Sequence, residues 1–185
     1  MNLGNFNTTS NYLSLLRLLL SIPFWFLLAN NSTAPNYAAV ALALFAAFTD
    51  MMDGYLARKF NQVTEWGKII DPLADKVCVA VIVVQFYLQG KMGPWLFWII
   101  ISRDLLILIA SLALSNKLKK VLPSNYLGKI TVLVICFYIV FLALNLQISY
   151  PEWDSLFYKA SIIMIILSVA GYAIRAKEFL KGQSA

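Results

Sequence analysis

Six long apolar stretches constrain this chain more than any other feature of its sequence. Hydrophobic residues make up 61% of the 185 positions and charged residues only 13%, a balance far more apolar than that of ordinary globular domains. A stretch of about 20 apolar residues can cross a membrane as a helix, which satisfies its own backbone hydrogen bonds. The sequence therefore predicts an all-α polytopic membrane protein, a single domain over residues 1–185 with six transmembrane helices. The predicted spans are roughly 12–29, 37–58, 71–89, 93–115, 126–149 and 156–180.

Four aspartates form two closely spaced pairs in this apolar chain. Asp50 and Asp53 are spaced i, i+3, and Asp71 and Asp75 are spaced i, i+4, so on a helix each pair shares one face. If a hairpin brings the two pairs together, their mutual repulsion must be neutralised by cations. All-oxygen ligation suits Mg²⁺, Mn²⁺ or Ca²⁺. The spacing therefore predicts a divalent-metal site.

The depth of these aspartates supports a functional role. Only residues 37–49 precede Asp50 in the second stretch, which is about 20 Å of helix and too short to cross the membrane. Both pairs should then lie within one leaflet and face a wet cavity, where ionisable groups are functional by default. The simpler interpretation is that they are solvated helix-end residues neutralised by Arg58, Lys59 and Lys76. The fixed pattern, with Gly54 inside a helical segment, favours a close ligand approach instead.

The distribution of basic residues predicts the orientation in the membrane. Six spans place both termini on the side of the 59–70 and 116–125 connections, and that side carries twelve of the fifteen Lys and Arg residues. Lys91 and Lys159 fall on the opposite side. By the positive-inside rule, both termini and the aspartates face the cytoplasm. The basic residues of the cytoplasmic side are Arg17, Arg58, Lys59, Lys68, Lys76, Lys117, Lys119, Lys120, Lys129, Arg175, Lys177 and Lys181.

Two residue types limit the possible chemistry. The chain contains no histidine, which excludes Ser-His hydrolase chemistry and zinc sites built on imidazole. Acid–base catalysis therefore falls to carboxylates. The two cysteines, Cys78 and Cys136, lie in apolar stretches and are expected to be buried, inert thiols.

The window from Asp50 to Asp75 resembles the signature of the CDP-alcohol phosphatidyltransferases, D-x2-D-G-x2-A-R-x8-G-x3-D-x3-D, and matches it without a substitution. The resemblance implies transfer of a phosphatidyl group from a CDP-linked lipid to an alcohol, with release of CMP and use of two divalent cations, Mg²⁺ or Mn²⁺. It assigns one cation to Asp50, Asp53 and Asp71, and the other to Asp50, Asp71 and Asp75. Asp75 is also implied to be the general base. The implied cytidine diphosphate pocket consists of Asp53, Gly54, Ala57, Arg58 and Gly67.

The acceptor is predicted from basic residues outside this window. Arg103, Lys129 and Arg17 are candidates for binding an acceptor phosphate, and glycerol 3-phosphate is the favoured acceptor. Gly128-Lys129 resembles the phosphatidylglycerophosphate synthases, whereas Ser102-Arg103-Asp104 looks more like the cardiolipin synthases, whose acceptor is phosphatidylglycerol. The lysines at 117, 119 and 120 are equally well explained as positive-inside anchors. For Arg17 two interpretations stay open, a pocket residue and a snorkelling side chain.

Two other functions are compatible with a membrane protein that carries clustered aspartates. One is a cation transporter, although such sites usually lie at the midplane between repeated, broken helices. The other is a scaffold that retains the motif without activity. The resemblance further implies a homodimer in contact with membrane lipid and CDP-diacylglycerol, and no nucleic-acid partner is expected. A bacterial inner membrane is the expected location.

Overall fold

The computed structural model describes residues 9–30, 33–59, 67–118 and 126–181, and within these ranges it is helical apart from short turns. Side chains are described for residues 12–30, 33–52, 73–109 and 126–175. The predicted all-α class is confirmed. The helices are α1 (Thr9–Ala29), α2 (Tyr37–Lys59), α3 (Gly67–Leu88), α4 (Pro94–Leu118), α5 (Tyr126–Ala143), α6 (Leu146–Ser149) and α7 (Pro151–Lys181).

Two predicted boundaries are wrong. The stretch 126–149 is not one helix, because α5 ends at Ala143 and a turn separates it from the four-residue α6. The last helix begins at Pro151 and not near residue 156, since proline suits the first helical position and Glu152 and Asp154 complement the positive end of the helix dipole.

Three helices in the described part of the chain contain segments long and apolar enough to cross a membrane: Tyr12–Ala29, Tyr126–Ala143 and Pro151–Arg175. A shorter apolar segment covers Tyr37–Met52. Many large apolar side chains along the helices are exposed, including Phe26, which is 70% exposed. Such a surface suits contact with lipid. The structure thus supports a membrane protein, and the count of six spans stays a prediction.

The chain divides into two compact units, one formed by residues 1–92 and 143–145 and the other by residues 93–142 and 146–185. In the first unit α1 packs on both α2 and α3. Side chains of α3 and of Gln89, the residue after it, donate to backbone carbonyls of α1: Cys78 Sγ to Arg17 (3.2 Å), Gln85 Nε2 to Trp25 (3.2 Å), and Gln89 Nε2 to Leu28. The residue numbers of the bonded partners increase together along the two helices, so α1 and α3 run parallel.

The turn after α3 depends on Gly90. Its amide bonds the Tyr87 carbonyl and the Lys91 amide bonds the Phe86 carbonyl, each at 3.0 Å, which is the hydrogen-bond pattern of a Schellman motif. Gly90 has a φ of 69°, a left-handed conformation that glycine adopts without a steric cost. The motif thereby satisfies carbonyls that the end of α3 leaves without helical partners.

Two asparagines hold the loop between α1 and α2. Asn36 caps α2 by accepting from the Ala39 amide (3.0 Å), and its Nδ2 donates to the Leu27 carbonyl at 2.7 Å. Its own amide donates to the Ala143 carbonyl at 2.9 Å. Asn145, which has a φ of 55°, donates through Nδ2 to the Ala34 carbonyl at 2.6 Å. The residues 143–145 are therefore tied to this loop.

In the second unit α7 packs against α4 and α5. Tyr138 of α5 donates to Asp154 at the start of α7 (3.1 Å), and Thr131 lies 2.9 Å from the Met164 carbonyl. The residue number of the contact falls along α5 as it rises along α7, so the two helices are antiparallel. Gly128 lets Tyr172 approach closely, since a Cβ at this glycine would lie 3.1 Å from the tyrosine ring.

Candidate functional site

A buried arginine joins two of the predicted aspartates. The side chain of Arg17 in α1 is only 3% exposed, and its Nη1 lies 2.8 Å from Oδ1 of Asp50 in α2. The same nitrogen forms an ion pair and hydrogen bond with Oδ1 of Asp75 in α3. The two carboxylates are 54% and 45% exposed. Three helices thus contribute one positively charged and two negatively charged side chains to a single cluster, the Arg17 cluster of Arg17, Asp50 and Asp75. The guanidinium lies on its buried side.

The packing of α1 on α3 explains this arrangement. Residues 75, 78, 82 and 85 recur at spacings of three and four and so lie along one stripe of α3, and Gln89 continues this stripe just after the helix. Cys78, Gln85 and Gln89 in this stripe contact α1 directly. Since the thiol of Cys78 bonds the Arg17 carbonyl, Asp75, almost one turn earlier, lies beside the Arg17 side chain. Cys78 itself is 6% exposed, as expected for a buried thiol. The same prediction is wrong for Cys136, whose side chain is exposed on α5.

The described carboxylates have the donor chemistry of a divalent-metal site. Oδ1 atoms from two helices meet around one positively charged group, and carboxylate oxygens are the ligands that Mg²⁺ and Mn²⁺ favour. The side chains of Asp53 and Asp71 lie outside the described set. Among the side chains that are described, no group of three acidic or sulfur ligands could hold a metal. The carboxylate oxygens of Asp50 and Asp75 are suited to bind a divalent cation. The complete four-aspartate site stays a prediction.

The predicted cytidine diphosphate residues occupy the ends of two helices next to this cluster in sequence. Asp53, Gly54, Ala57 and Arg58 belong to the last turns of α2, and Gly67 is the first residue of α3. Their side-chain surroundings lie outside the described residues. Their predicted roles therefore stay predictions.

The other predicted acceptor residues belong to the second unit. Arg103 in α4 is 4% exposed; its Nη1 lies 2.6 Å from Asp104 Oδ1, and its Nη2 donates to Ser168 Oγ at 3.4 Å. Lys129 is exposed on the first turn of α5. The lysines at 119 and 120 lie outside the described residues. Arg103 is thus held by an ion pair, and an acceptor role for it or for Lys129 stays a prediction.

Sequence reasoning missed the pairing of Arg17 with the aspartates. It left Arg17 as an acceptor ligand or a snorkelling side chain, whereas the guanidinium is buried between two carboxylates. A charge in the middle of an apolar stretch needs a partner, and the nearby aspartates were the available anions. That requirement is the signal that would have found the pair.

A cavity of about 420 Å³ lies in the first unit, at the opposite end of the helices from the aspartates. Its lining includes none of the predicted site residues; it contains Asn36, Phe86, Gln89 and Lys91. Partial burial lowers the pKa of the Lys91 ammonium group below its usual value. This cavity is separate from the Arg17 cluster, because about 16 Å of α1 separates Arg17 from the lining residue Leu28.

Comparison with known proteins gives a consistent result. The family model for CDP-alcohol phosphatidyltransferase matches residues 7–173. A CDP-diacylglycerol–glycerol-3-phosphate 3-phosphatidyltransferase of Aquifex aeolicus is 38% identical over 128 residues, which are 68% of this chain and 69% of that protein. The protein of the same name from Rickettsia typhi is 32% identical and aligns over 88% of both chains. A probable phosphatidylglycerophosphate synthase of Mycobacterium tuberculosis H37Rv is 29% identical over 94% of this chain and 83% of its own length.

The family match covers most of the chain, including the helices that carry the Arg17 cluster and the complete aspartate motif. It favours a transferase over the transporter considered from the sequence. The chain belongs to the CDP-alcohol phosphatidyltransferase family.

Proposed function

We propose that this chain transfers the phosphatidyl group of CDP-diacylglycerol to glycerol 3-phosphate, releasing CMP and forming phosphatidylglycerophosphate. The observation that carries the proposal is the meeting of Asp50 and Asp75 around one cationic group. These residues are the first and last aspartates of the motif. The choice of acceptor rests on the similar proteins, which are named for glycerol 3-phosphate or phosphatidylglycerophosphate.

The reaction is a displacement at the phosphorus that bears the diacylglycerol. A hydroxyl oxygen of the acceptor forms a new bond to this phosphorus, and the bond to the bridging oxygen of the diphosphate breaks. CMP leaves with that oxygen. The hydroxyl proton passes to a base, and Asp75 is the proposed base because its carboxylate is partly exposed beside Arg17 and the chain has no histidine.

Two divalent cations, Mg²⁺ or Mn²⁺, are proposed as cofactors. Asp50, Asp53, Asp71 and Asp75 would hold them, and when bound such ions stabilise the attacking and leaving oxygens of a phosphoryl transfer. The pocket for cytidine diphosphate is proposed at the end of α2 and the start of α3. Arg17, Arg103 and Lys129 are the proposed residues for the acceptor phosphate, since guanidinium and ammonium groups bind phosphate well.

The site is proposed to lie at leaflet depth on the cytoplasmic side of a bacterial inner membrane, in a six-span homodimer. Such a depth would let the acyl chains of the lipid substrate remain in the bilayer while its head group reaches the aspartates. The basic residues concentrated on one side of the predicted spans support this orientation.

The proposal is tested by CMP release from purified protein with CDP-diacylglycerol, glycerol 3-phosphate and Mg²⁺ or Mn²⁺. Asp75→Asn keeps the size of the side chain and removes its charge, so we expect at least a 100-fold loss of rate, in the range of lost acid–base catalysis. EDTA should abolish the reaction. Asp154→Asn is the matched control, because Asp154 pairs with Tyr138 in the second unit, and it should retain most of the rate.

The acceptor is tested in the same assay. A response to glycerol 3-phosphate supports the proposal, whereas a response only to phosphatidylglycerol would make the chain a cardiolipin synthase. Full activity of Asp75→Asn would contradict the role given to this carboxylate.

A further inference from the structure

Arg17 occupies the place where a cation would bridge the helices that carry the motif. One atom, Nη1, contacts both Asp50 and Asp75, and the arginine is 3% exposed whereas each carboxylate is about half exposed. A ligand arriving from solvent would therefore meet the carboxylates first and the guanidinium behind them.

The charges of this cluster oppose simultaneous binding of Arg17 and a metal by the same oxygens. Asp50, Asp75 and Arg17 sum to a net charge of −1, so one cation already neutralises part of the negative charge that attracts a divalent ion. A positive group within hydrogen-bonding distance of the ligands also repels an incoming cation, and this repulsion is strong where solvent is partly excluded. The oxygens that bond Nη1 cannot give the same lone pairs to a metal.

We propose that Arg17 is an internal counter-ion, which holds Asp50 and Asp75 together in the metal-free protein and which a divalent cation displaces from them. The proposal rests on the metal site of the proposed function. It makes Arg17 a positioning residue of the metal-free state. It also orders the binding events, because release from the carboxylates frees Nη1 to bind an anion such as a phosphate group.

The proposal is tested by Mn²⁺ binding to the purified full chain, followed by the electron paramagnetic resonance signal of free Mn²⁺. Arg17→Gln removes the competing charge, so we expect Mn²⁺ to bind about tenfold more tightly than to the wild type, or tighter still. In EDTA the same variant should unfold at a lower temperature than the wild type, because two neighbouring carboxylates lose their counter-ion. Saturating Mn²⁺ should raise the unfolding temperature of the variant most of the way back to that of the wild type.

Lys159→Gln is the control for Mn²⁺ affinity. It also removes one positive charge, but from an exposed position of α7 on the predicted opposite side of the membrane. We expect this variant to bind Mn²⁺ as the wild type does. Arg17→Lys keeps a positive charge without the guanidinium fork, so its affinity should lie between those of Arg17→Gln and the wild type, and it serves if Arg17→Gln does not fold.

The two proposals fail in different ways. Wild-type protein that binds no Mn²⁺ and releases no CMP would overturn the proposed function and, with it, this inference. Wild-type protein that does both, with unchanged or weaker Mn²⁺ binding in Arg17→Gln and Arg17→Lys, would overturn the counter-ion role alone. Weaker binding would mean that Arg17 organises the carboxylates for the metal and does not compete with it.

Discussion

At the scale of single residues, two arginines buried in this apolar chain each form an ion pair with a carboxylate. Arg17 and Arg103 are each less than 5% exposed, and both have carboxylate partners. Removing one partner of a buried ion pair leaves an uncompensated charge, which is strongly destabilising. The difference between the two arginines is their surroundings: Arg17 bridges two partly exposed carboxylates, whereas Asp104 beside Arg103 is only 14% exposed. This contrast makes the Arg17 cluster the one open to solvent ions.

The conformation of Asn145 leads to a prediction about stability. Its φ of 55° lies in the left-handed region, and its Nδ2 donates to the Ala34 carbonyl. We expect Asn145→Ala to lower the free energy of unfolding by about 2 kcal/mol, the sum of roughly 1 for the backbone and 1 for the hydrogen bond. Asn145→Gly keeps the left-handed backbone conformation and loses only the hydrogen bond, so it should lower the free energy of unfolding by about half as much. Chemical unfolding in detergent measures both, and a larger loss for glycine than for alanine would contradict this account.

At the scale of helices, side chains that donate to carbonyls or carboxylates of neighbouring helices fix the registers. In the first unit, Gln85 of α3 and Gln89, the residue after α3, donate to carbonyls near the C-terminal end of α1. In the second unit, Tyr138 and Thr131 connect α5 to α7. Apolar contacts alone would tolerate sliding of one helix past another. These polar contacts select one register, and in the first unit that register places Asp75 beside Arg17.

The contact between α5 and α7 can be tested with an isosteric change. Tyr138 is 1% exposed and donates to Asp154 at 3.1 Å. We expect Tyr138→Phe to lower the free energy of unfolding by about 1–2 kcal/mol, because it removes a hydrogen bond to a charged acceptor. Tyr126→Phe is the matched control, since Tyr126 is 74% exposed and its change should stay within about 0.5 kcal/mol. Equal effects of the two substitutions would show that the Tyr138 hydroxyl contributes nothing.

At the scale of the whole molecule, the chain is a membrane transferase of phospholipid biosynthesis, by its family and its apolar helices. Its two units each contain one of the buried arginines. The first unit also carries the aspartate motif, so the proposed metal chemistry depends on α1, α2 and α3. Much of the remaining helical surface is apolar and exposed, as expected where a protein meets lipid.

The proposed orientation predicts a labelling pattern. With Cys78 and Cys136 replaced by serine, Lys91→Cys should react with a membrane-impermeant maleimide added to intact bacterial cells. Lys129→Cys should react only after the membrane is opened, because the positive-inside rule places it on the cytoplasmic side. Lys91 and Lys129 are both at least partly exposed in the structure. The reverse pattern would invert the topology, and labelling of both residues from outside would contradict six spans.

Much of the fold was predictable because hydrophobic length and proline or turn residues act locally. The starts of α2 and α5 and the end of α1 were predicted correctly from the apolar stretches. The break after Ala143 was not, because residues 144–149 contain no proline or glycine that would end a helix. Its cause is non-local: Asn145 and the Ala143 carbonyl bond the loop between α1 and α2, and no pattern within residues 126–149 reveals those partners.

The sequence by itself determined the helical class, the membrane environment and the aspartate motif, because hydrophobic length and residue spacing are properties of short segments. Only the tertiary structure decided that Arg17 lies between Asp50 and Asp75. Residues 17, 50 and 75 belong to three different helices, and their meeting depends on the register of α1 against α2 and α3. That register comes from interhelical hydrogen bonds and side-chain packing, which join residues about 60 positions apart in the chain.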